Sequence, residues 1–391
     1  MLQELKQLTK QNIREYGMYI ALFVIILFFN NATNGIFMSA RNVSNLINST
    51  GYIAVLAVGM TLVIIIRHID LSVGFLAGFV GAVTALLMTE NGVPVAIAIG
   101  IALCIGTIAG TANGVLVSKL GMPAFVVSLG GMLIWRGALI QATQRTGTIM
   151  IPNSGPTAVF NAIGNGFIPD IADGTHHILT MILGAITIVL YILSEIKARR
   201  AKQKYNFTVI SMPILVLKLV FVSAVIAYVT YVLASFNGLS WTVIIVIAVT
   251  FIFHFITTKT VIGRHIYAVG SAPEAAKLSG INVSKITLMV FGSMGFLSAL
   301  SGILFTARLQ SATVTAGTLF ELDAIAAAYV GGVSSAGGVG KVTGSIVGAI
   351  VMASLTNGMN LMGVNISYQY IVRGGVLIAA VAFDVISRNR K

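Results

Sequence analysis

The 391-residue chain is 57% hydrophobic and only 9% charged, whereas soluble domains carry about 25% charged residues. Because charge is costly in a bilayer, this composition indicates a membrane protein and excludes an ordinary soluble domain. The net charge of +13 is compatible with nucleic-acid binding, but the placement of the basic residues favours membrane orientation instead. A single cysteine, Cys104, excludes a disulfide within the chain, and no metal-ligand spacing is present.

Twelve apolar segments are predicted as membrane spans. The first follows Lys6, Lys10 and Arg14 without a clear small-residue cleavage site, which favours a retained span over a signal peptide. An even number of crossings places both termini on one side. The twelve segments lie near 15–33, 51–66, 71–88, 93–117, 122–142, 177–194, 211–236, 240–257, 286–306, 319–333, 342–358 and 367–386.

The distribution of Lys and Arg predicts the orientation of these spans. With the N-terminus in the cytoplasm, 18 of the 24 basic residues fall in cytoplasmic segments, three in outer segments and three within spans. Cytoplasmic loops of membrane proteins carry such an excess. The sequence therefore predicts that both termini are cytoplasmic. Membrane orientation also accounts for the net positive charge, so binding of nucleic acid is not needed to explain it.

The segment 319–333 is too short for a regular span. Thr318 and Glu321 have the spacing of a capping box, and the glycine-rich stretch GGVSSAGGVG begins at 331. Irregular backbone at membrane depth is tolerated only where protein shelters it or water lines it. We therefore predict a broken helix, and Lys341 favours a crossing over a re-entrant loop.

No enzymatic motif is recognisable. The nearest approach to a nucleotide-binding P-loop is Gly340-Lys341, where Ser335 replaces the first glycine and Val342 follows the lysine. His176 and His177 are adjacent and so do not share a helix face. We predict a chain that is not an enzyme and binds no metal or cofactor itself.

Two arginines within spans are candidates for function. Ionisable residues at membrane depth either pair with each other or mark a solute route. Arg136 and Arg373 therefore either form an ion pair, with Glu321 or Asp323, or line the path.

Three further polar residues carry similar alternatives. Asn113 and Asn357 either hydrogen-bond across helices or line a polar route. The stretch RHIDLSVG, residues 67–74, is predicted as a tight turn in which Asp70 caps the next helix, or else as a gate or partner contact.

The stretch GRHIYAVGSAPEAAKLSGINV, residues 263–283, is polar inside an apolar chain. Ser271 and Glu274 have capping-box spacing, Pro273 suits a first turn and Gly280 offers a stop. The pattern predicts a helix of about two turns, roughly 12 Å long. Such a helix is too short to cross a membrane.

With these residues in view, the chain resembles the permease subunits of bacterial ABC importers for monosaccharides, the ribose, xylose and galactose class. It looks closest to the xylose and multiple-monosaccharide permeases. The motifs that carry the resemblance are VLAVGMTLVIIIRHIDLSVG (55–74), GRHIYAVGSAPEAAKLSGINV (263–283), ELDAIAAAYVGGVSSAGGVG (321–340) and NGMNLMGVNISYQYIVRGG (357–375).

The resemblance implies an all-α polytopic fold of the vitamin B12 importer type (type II ABC importer), with about 10–12 transmembrane helices. It implies one permease domain, 1–391, with a cytoplasmic loop at 258–285. The spans at 177–194 and 211–236 exceed what the ribose type has there and are expected to form an added helix pair. The implied partners are a second copy of the permease, a two-half ATPase that uses ATP and Mg, an extracytoplasmic sugar-binding protein and the monosaccharide, in the plasma membrane.

The resemblance also implies that the short helix is a coupling helix, which fits a groove in the ATPase. The matching residues are Gly263, Arg264, Ser271, Glu274, Ala275, Ala276, Leu278 and Gly280. Candidates for the translocation path or gate are Asp70, Asn113, Arg136, Asn357 and Arg373. Candidates for docking the binding protein are the three outer arginines, Arg41, Arg145 and Arg308.

The alternative function is an ion-coupled secondary transporter of small polar solutes. Such proteins use acids buried within spans as ion sites. Here Asp70, Glu321, Asp323 and Asp384 are all expected at span edges, which disfavours this alternative.

Overall fold

The computed structural model describes residues 13–145, 147–172, 174–207, 209 and 211–389, with side chains between 17 and 386. Lys6 and Lys10, which precede the first predicted span, lie outside the described residues. The helices are α1 Ile13–Ala32, α2 Ala40–Ile65, α3 Val73–Thr89, α4 Val95–Ser118, α5 Ala124–Thr143, α6 Thr157–Asn165, α7 Ile178–Lys204, α8 Met212–Ala234, α9 Trp241–Lys259, α10 Val261–Ser271, α11 Pro273–Leu278, α12 Val283–Leu309, α13 Phe320–Val330, α14 Val342–Leu361 and α15 Ile366–Asn389.

Within the described ranges, nine helices are long and apolar enough to cross a membrane, and Gly17–Ala32 and Val73–Thr89 are shorter apolar helices. The predicted polytopic helical membrane protein is confirmed. One boundary was wrong by a large margin: α2 begins at Ala40, eleven residues before its predicted start. Ser39 caps it, because its hydroxyl accepts a hydrogen bond from the Asn42 amide at 3.4 Å.

Helix α12 is the centre of the bundle and packs against α2, α3 and α4. Small residues allow this close approach. A Cβ at Gly110 on α4 would overlap the Phe291 carbonyl and the backbone of Gly295 on α12. Helix α2 is equally central, since every residue from Ile53 to Ile65 is buried.

Helices α3 and α13 both begin inside the bundle. Ala77, one turn into α3, lies against Gly302 of α12, which places the start of α3 near the middle of α12. Phe320, the first residue of α13, packs against the rings of Tyr52 and Phe305 at 4.8 Å. A helix of 11 residues spans only about 16 Å. The observed α13 thus agrees with the short, broken helix predicted for this region.

The two ends of the bundle differ. At one end, here called the hairpin end, β1 (Thr148–Met150) pairs antiparallel with β2 (Ser311–Thr313) next to α6. At the other, the α11 end, lie α10, α11 and the glycine-rich loop 331–341.

Helices α7 and α8 pack on each other, with most of their surface exposed. Lys218 on α8 donates to Glu195 on α7 at 2.6 Å. A Cβ at Gly184 would overlap Thr230, so these helices cross in close contact. They correspond to the predicted additional pair.

Candidate functional site

Helix α11 is a short projection whose outward surface carries a large apolar side chain. Leu278 is 90% exposed, and Glu274, Ala275 and Lys277 around it are exposed as well. Leu278 therefore takes no part in packing within the chain. Gly280 follows with φ 83°, a left-handed conformation that ends the helix without strain.

Two details of the predicted coupling motif were wrong. Ser271 does not cap α11: it is the last residue of α10, and its hydroxyl donates to the Tyr267 carbonyl at 2.8 Å. The N-cap is Ala272, which makes no side-chain bond. Ala276 is buried against the core and so is not part of the outward face.

A second helix, α10, precedes α11 and was missed in the sequence. Its N-cap is Thr260, whose hydroxyl accepts from the Gly263 amide at 3.2 Å. Gly263 is buried, and a Cβ there would overlap the carbonyls of Ile256 and Thr257 at the corner between α9 and α10. Arg264 is exposed one position further on. The corner therefore requires glycine, for close approach rather than for flexibility.

The C-terminal end of α10 is fastened to the end of α2. Arg67 donates from Nε to the Gly270 carbonyl at 2.6 Å and from Nη2 to the Ser271 carbonyl. These bonds satisfy carbonyls that the end of a helix leaves free. Arg67 itself adopts a left-handed backbone with φ 64°, an uncommon conformation for a residue other than glycine.

The glycine-rich loop 331–341 completes this junction. Gly338 donates its amide to the Ile65 carbonyl at 2.8 Å, and the Tyr267 hydroxyl donates to the Gly340 carbonyl at 2.7 Å. The Tyr267 hydroxyl is protonated at neutral pH, and burial raises its pKa further, so it remains a proton donor. The junction therefore links α2, α10 and the loop after α13, and movement of α11 has a direct route into the bundle. Arg67 and Tyr267 are site residues that the sequence analysis did not identify.

Asp70 lies in a buried polar cluster at the start of α3. Its carboxylate accepts from the Ser72 amide at 2.9 Å and from the Ser72 hydroxyl at 2.6 Å. Asn113 on α4 donates to the same hydroxyl at 3.0 Å. Ser72 directly precedes α3 but makes no side-chain cap bond of its own, so the amide at the start of this helix is satisfied by Asp70, as predicted.

Glu321 lies where the starts of α3 and α13 meet. A Cβ at Gly74 would overlap both the Glu321 carboxylate and the Gly317 carbonyl. The predicted capping box is absent, because the Thr318 hydroxyl donates to the Thr315 carbonyl at 2.8 Å and Leu319 is the N-cap. Glu321 Oε2 is buried and has no hydrogen-bond partner among the described residues.

The arginines within spans have different surroundings. Arg373 on α15 forms an ion pair with Asp323 on α13, which was one of the two predicted alternatives. Arg136 is exposed and lies over the Phe75 ring, with 5.5 Å from Cζ to the ring centre.

Asn357 on α14 and Asn42 on α2 hydrogen-bond to each other through both side-chain amides, at 2.9 and 3.1 Å. Of the outer arginines, Arg41 and Arg145 are exposed, whereas Arg308 donates to the Asn165 amide oxygen at 2.7 Å. Arg41 and Arg145 are therefore the more accessible of the three, whereas Arg308 is held against α6.

Comparisons with known proteins identify the family. Residues 42–381 match the family described as branched-chain amino acid transport system / permease component. The xylose transport system permease protein XylH of Haemophilus influenzae is 39% identical over 384 residues, covering 98% of this chain and 99% of the relative. XylH of Escherichia coli K12 is 37% identical over 98% of this chain and 94% of its own length.

A ribose permease is similar as well. The ribose import permease protein RbsC of Haemophilus influenzae is 34% identical over 95% of this chain and 93% of its own length. No solved structure matches the chain. The predicted resemblance to importer permeases and the prediction that the chain is not an enzyme are thereby confirmed. The chain belongs to the family of ABC importer permease components, which are not themselves catalytic and work with an ATPase and a binding protein.

Proposed function

We propose that this chain forms the membrane pathway of an ATP-driven importer for monosaccharides of the xylose and ribose type. The similarity to XylH and RbsC over nearly the full length of each chain carries this proposal. The family description names branched-chain amino acids instead. A neutral solute is supported further by Arg373 and Asp323, whose charges neutralise each other.

The proposed assembly contains two copies of this chain, a two-half ATPase at the α11 end and an extracytoplasmic sugar-binding protein at the hairpin end. ATP and Mg bind to the ATPase, and this chain binds neither. The α11 end is cytoplasmic, as are both termini, in a bacterial plasma membrane. The excess of basic residues in the segments assigned to this side supports that orientation.

The proposed fold is that of the vitamin B12 importer-like permeases, with α7 and α8 as an added pair. The eleven apolar helices found in the described part of the chain, together with the short α13, are compatible with 10–12 crossings. The chain forms one permease domain, and the segment 258–285 is its coupling loop.

Coupling rests on α11 and its attachment. Leu278 and Ala275 enter an apolar groove of the ATPase, while Glu274 and Lys277 pair with charges at its rim. Work is then transmitted through the Arg67–Gly270 junction to α2. The exposed surface is small, so most of the affinity depends on Leu278 as the central anchor.

The test is reconstitution of the chain with its ATPase and binding protein in vesicles. We expect uptake of labelled xylose or ribose that requires ATP and both partners. Unlabelled leucine should not compete. Uptake of leucine but not sugar would contradict the substrate class, and uptake without the ATPase would contradict the mechanism.

One observation favours the alternative, an ion-coupled secondary transporter. Asp70 and Glu321 do lie at helix ends, as expected, but Asp70, Glu321 and Asp384 are buried, at 2%, 5% and 6% exposed. Buried acids are what ion-coupled transport requires. Collapse of the proton and sodium gradients with ionophores, while ATP is maintained, separates the two: an ATP-driven importer retains its uptake and a secondary transporter loses it.

A further inference from the structure

The first three turns of α2 carry a continuous polar face. Arg41, Asn45, Ser49 and Tyr52 follow at intervals of four, four and three residues, which places them on one side of the helix. Arg41 and Ser49 are exposed, and Asn45 and Tyr52 are partly exposed. We call these four residues the polar stripe.

The polar stripe runs inward from the hairpin end. From Ala40 to Tyr52 the helix rises roughly 18 Å. Within this length Asn48 donates to the Gly164 carbonyl of α6 and accepts from the Ser240 hydroxyl at the start of α9. The Tyr52 end of the stripe therefore lies below the level at which α9 begins. Leu56, the next residue on this face, is fully buried. Polar side chains at this inner end face water or protein rather than lipid, because hydrocarbon cannot satisfy their hydrogen bonds.

Aromatic rings close the deep end of the polar stripe. The Tyr52 ring lies 5.0 Å from Phe305 and 4.8 Å from Phe320, measured between ring centres. Among the described residues none hydrogen-bonds to the Tyr52 hydroxyl. The stripe thus ends at a cluster of aromatic rings in which the Tyr52 hydroxyl has no hydrogen-bond partner in the part of the chain that the structure describes.

A charged pair lies beside these rings. Asp323 is one turn after Phe320 on α13 and is ion-paired with Arg373. Arg373 is within electrostatic reach of Tyr52. Both members of the pair are about one-fifth exposed, so their remaining hydrogen-bonding capacity is accessible.

This arrangement matches the chemistry of a monosaccharide. A sugar ring has hydroxyl groups around its edge and C–H groups on its faces. The amide, the two hydroxyls and the net-neutral Arg–Asp pair can exchange hydrogen bonds with the hydroxyl groups. The partly exposed rings of Tyr52 and Phe305 can pack against the C–H faces. No single element of the stripe would hold the sugar strongly, which suits passage rather than storage.

We propose that the polar stripe and the Asp323–Arg373 pair line a water-filled route for the sugar, bounded by this chain and a second copy of it. Tyr52 contacts the sugar where Phe305 and Phe320 close the route. This inference rests on the proposed function and assigns the substrate contacts within it.

The first experiment measures which medium the stripe faces. Single cysteines replace Asn45 or Ser49 in a Cys104→Ser background of the assembled importer and are treated with a membrane-impermeant thiol reagent. The matched control is Ile108→Cys on α4, a position that is 69% exposed and apolar. We expect labelling at 45 and 49 and none at 108. Absence of labelling at both stripe positions, with ready labelling of an Arg41→Cys control at the mouth, overturns the proposal.

The second experiment measures sugar transport. Tyr52→Phe removes one hydroxyl and should lower the number of sugars imported per ATP by about fivefold, the effect of one hydrogen bond to a neutral ligand, while ATP hydrolysis continues. Phe221→Leu on the exposed face of α8 serves as control. If the wild-type importer transports sugar and Tyr52→Phe has the wild-type ratio, the stripe assignment is wrong. If the wild type itself transports no sugar, the proposed function fails instead.

Discussion

The Arg67 guanidinium donates a hydrogen bond to the Gly270 carbonyl at 2.6 Å and so joins the end of α2 to the end of α10. Some 203 residues separate the two in sequence. Helix α2 lies at the centre of the bundle, and α10 carries the projecting α11. This contact therefore connects the helix that carries α11 with the buried helix α2.

Replacing Arg67 with methionine should loosen this junction. The loss of charged hydrogen bonds to two carbonyls at a partly exposed site lowers the free energy of unfolding by about 1–2 kcal/mol. Thermal unfolding of the purified chain in detergent measures the change. The exposed Arg145→Met at the hairpin end is the control and should not shift the melting temperature. Equal melting of both variants would show that the junction contributes nothing.

The variant Gly270→Ala tests how closely the backbones of α10 and α2 approach each other at this junction. An added Cβ would overlap the Ile65 carbonyl, and a backbone contact of this kind cannot rotate away. We expect a loss of about 2 kcal/mol in stability and impaired assembly with the ATPase. Gly130→Ala on α5, where nothing lies within 4 Å, should be neutral or slightly stabilising. A Gly270→Ala variant as stable as Gly130→Ala would refute the close approach.

The ion pair between Arg373 and Asp323 predicts non-additive mutations. Removing either partner leaves the other charge unpaired at depth, at a cost of about 2 kcal/mol each for these partly exposed side chains. The double variant Arg373→Met, Asp323→Leu should lose less than the sum. Denaturant unfolding in detergent of all four proteins completes the cycle, and strictly additive losses would contradict the pairing.

The hydrogen bonds of Asp170 predict that the stability of the first turn of α7, at the hairpin end, depends on pH. Desolvation raises its pKa, but hydrogen bonds from the amides of Leu179, Ile171 and Ile178 outweigh this and leave the pKa below its ordinary value. Because the folded-state pKa is depressed, the stabilisation is complete above about pH 4 and is lost as the pH falls through the folded-state pKa.

Amide exchange at Ile178 and Leu179 checks this prediction. Protection relative to the intrinsic rate should fall with acidification in the wild type, and Asp170→Asn should show weak protection that does not change with pH. Protection that falls equally in both proteins would assign the effect to another group.

The apolar spans were predictable because twenty apolar residues in a row have few alternatives to a membrane helix. The start of α2 was not. Arg41, Asn45 and Ser49 interrupt the hydrophobicity that marks a span, yet the helix continues through them from its cap at Ser39. The polar residues of the stripe lowered the local hydrophobicity, so this part of α2 was not predicted as helix.

Capping residues were the least predictable part of the site. Ser271 and Thr318 both have the spacing of a capping box, yet both donate to a carbonyl on their N-terminal side instead. Local spacing does not reveal which helix a serine or threonine will join. Likewise, the polar residues around Ala276 suggest an exposed position, but α11 packs Ala276 against the core.

Long-range contacts such as Arg67 to Gly270 and Asp70 to Asn113 through Ser72 were beyond the sequence, because nothing local indicates which segments meet. The ion pair of Arg373 was partly predictable. An arginine at membrane depth needs a partner, and the chain offered few acids.

The most direct test of coupling through α11 compares two exposed leucines at the same end of the bundle. Leu278 on α11 is 90% exposed, and Leu120 between α4 and α5 is 67% exposed. In vesicles that contain the ATPase and the binding protein, Leu278→Glu should abolish ATP-dependent sugar uptake, and Leu120→Glu should retain it. Uptake at the wild-type rate with Leu278→Glu would contradict the coupling role of α11.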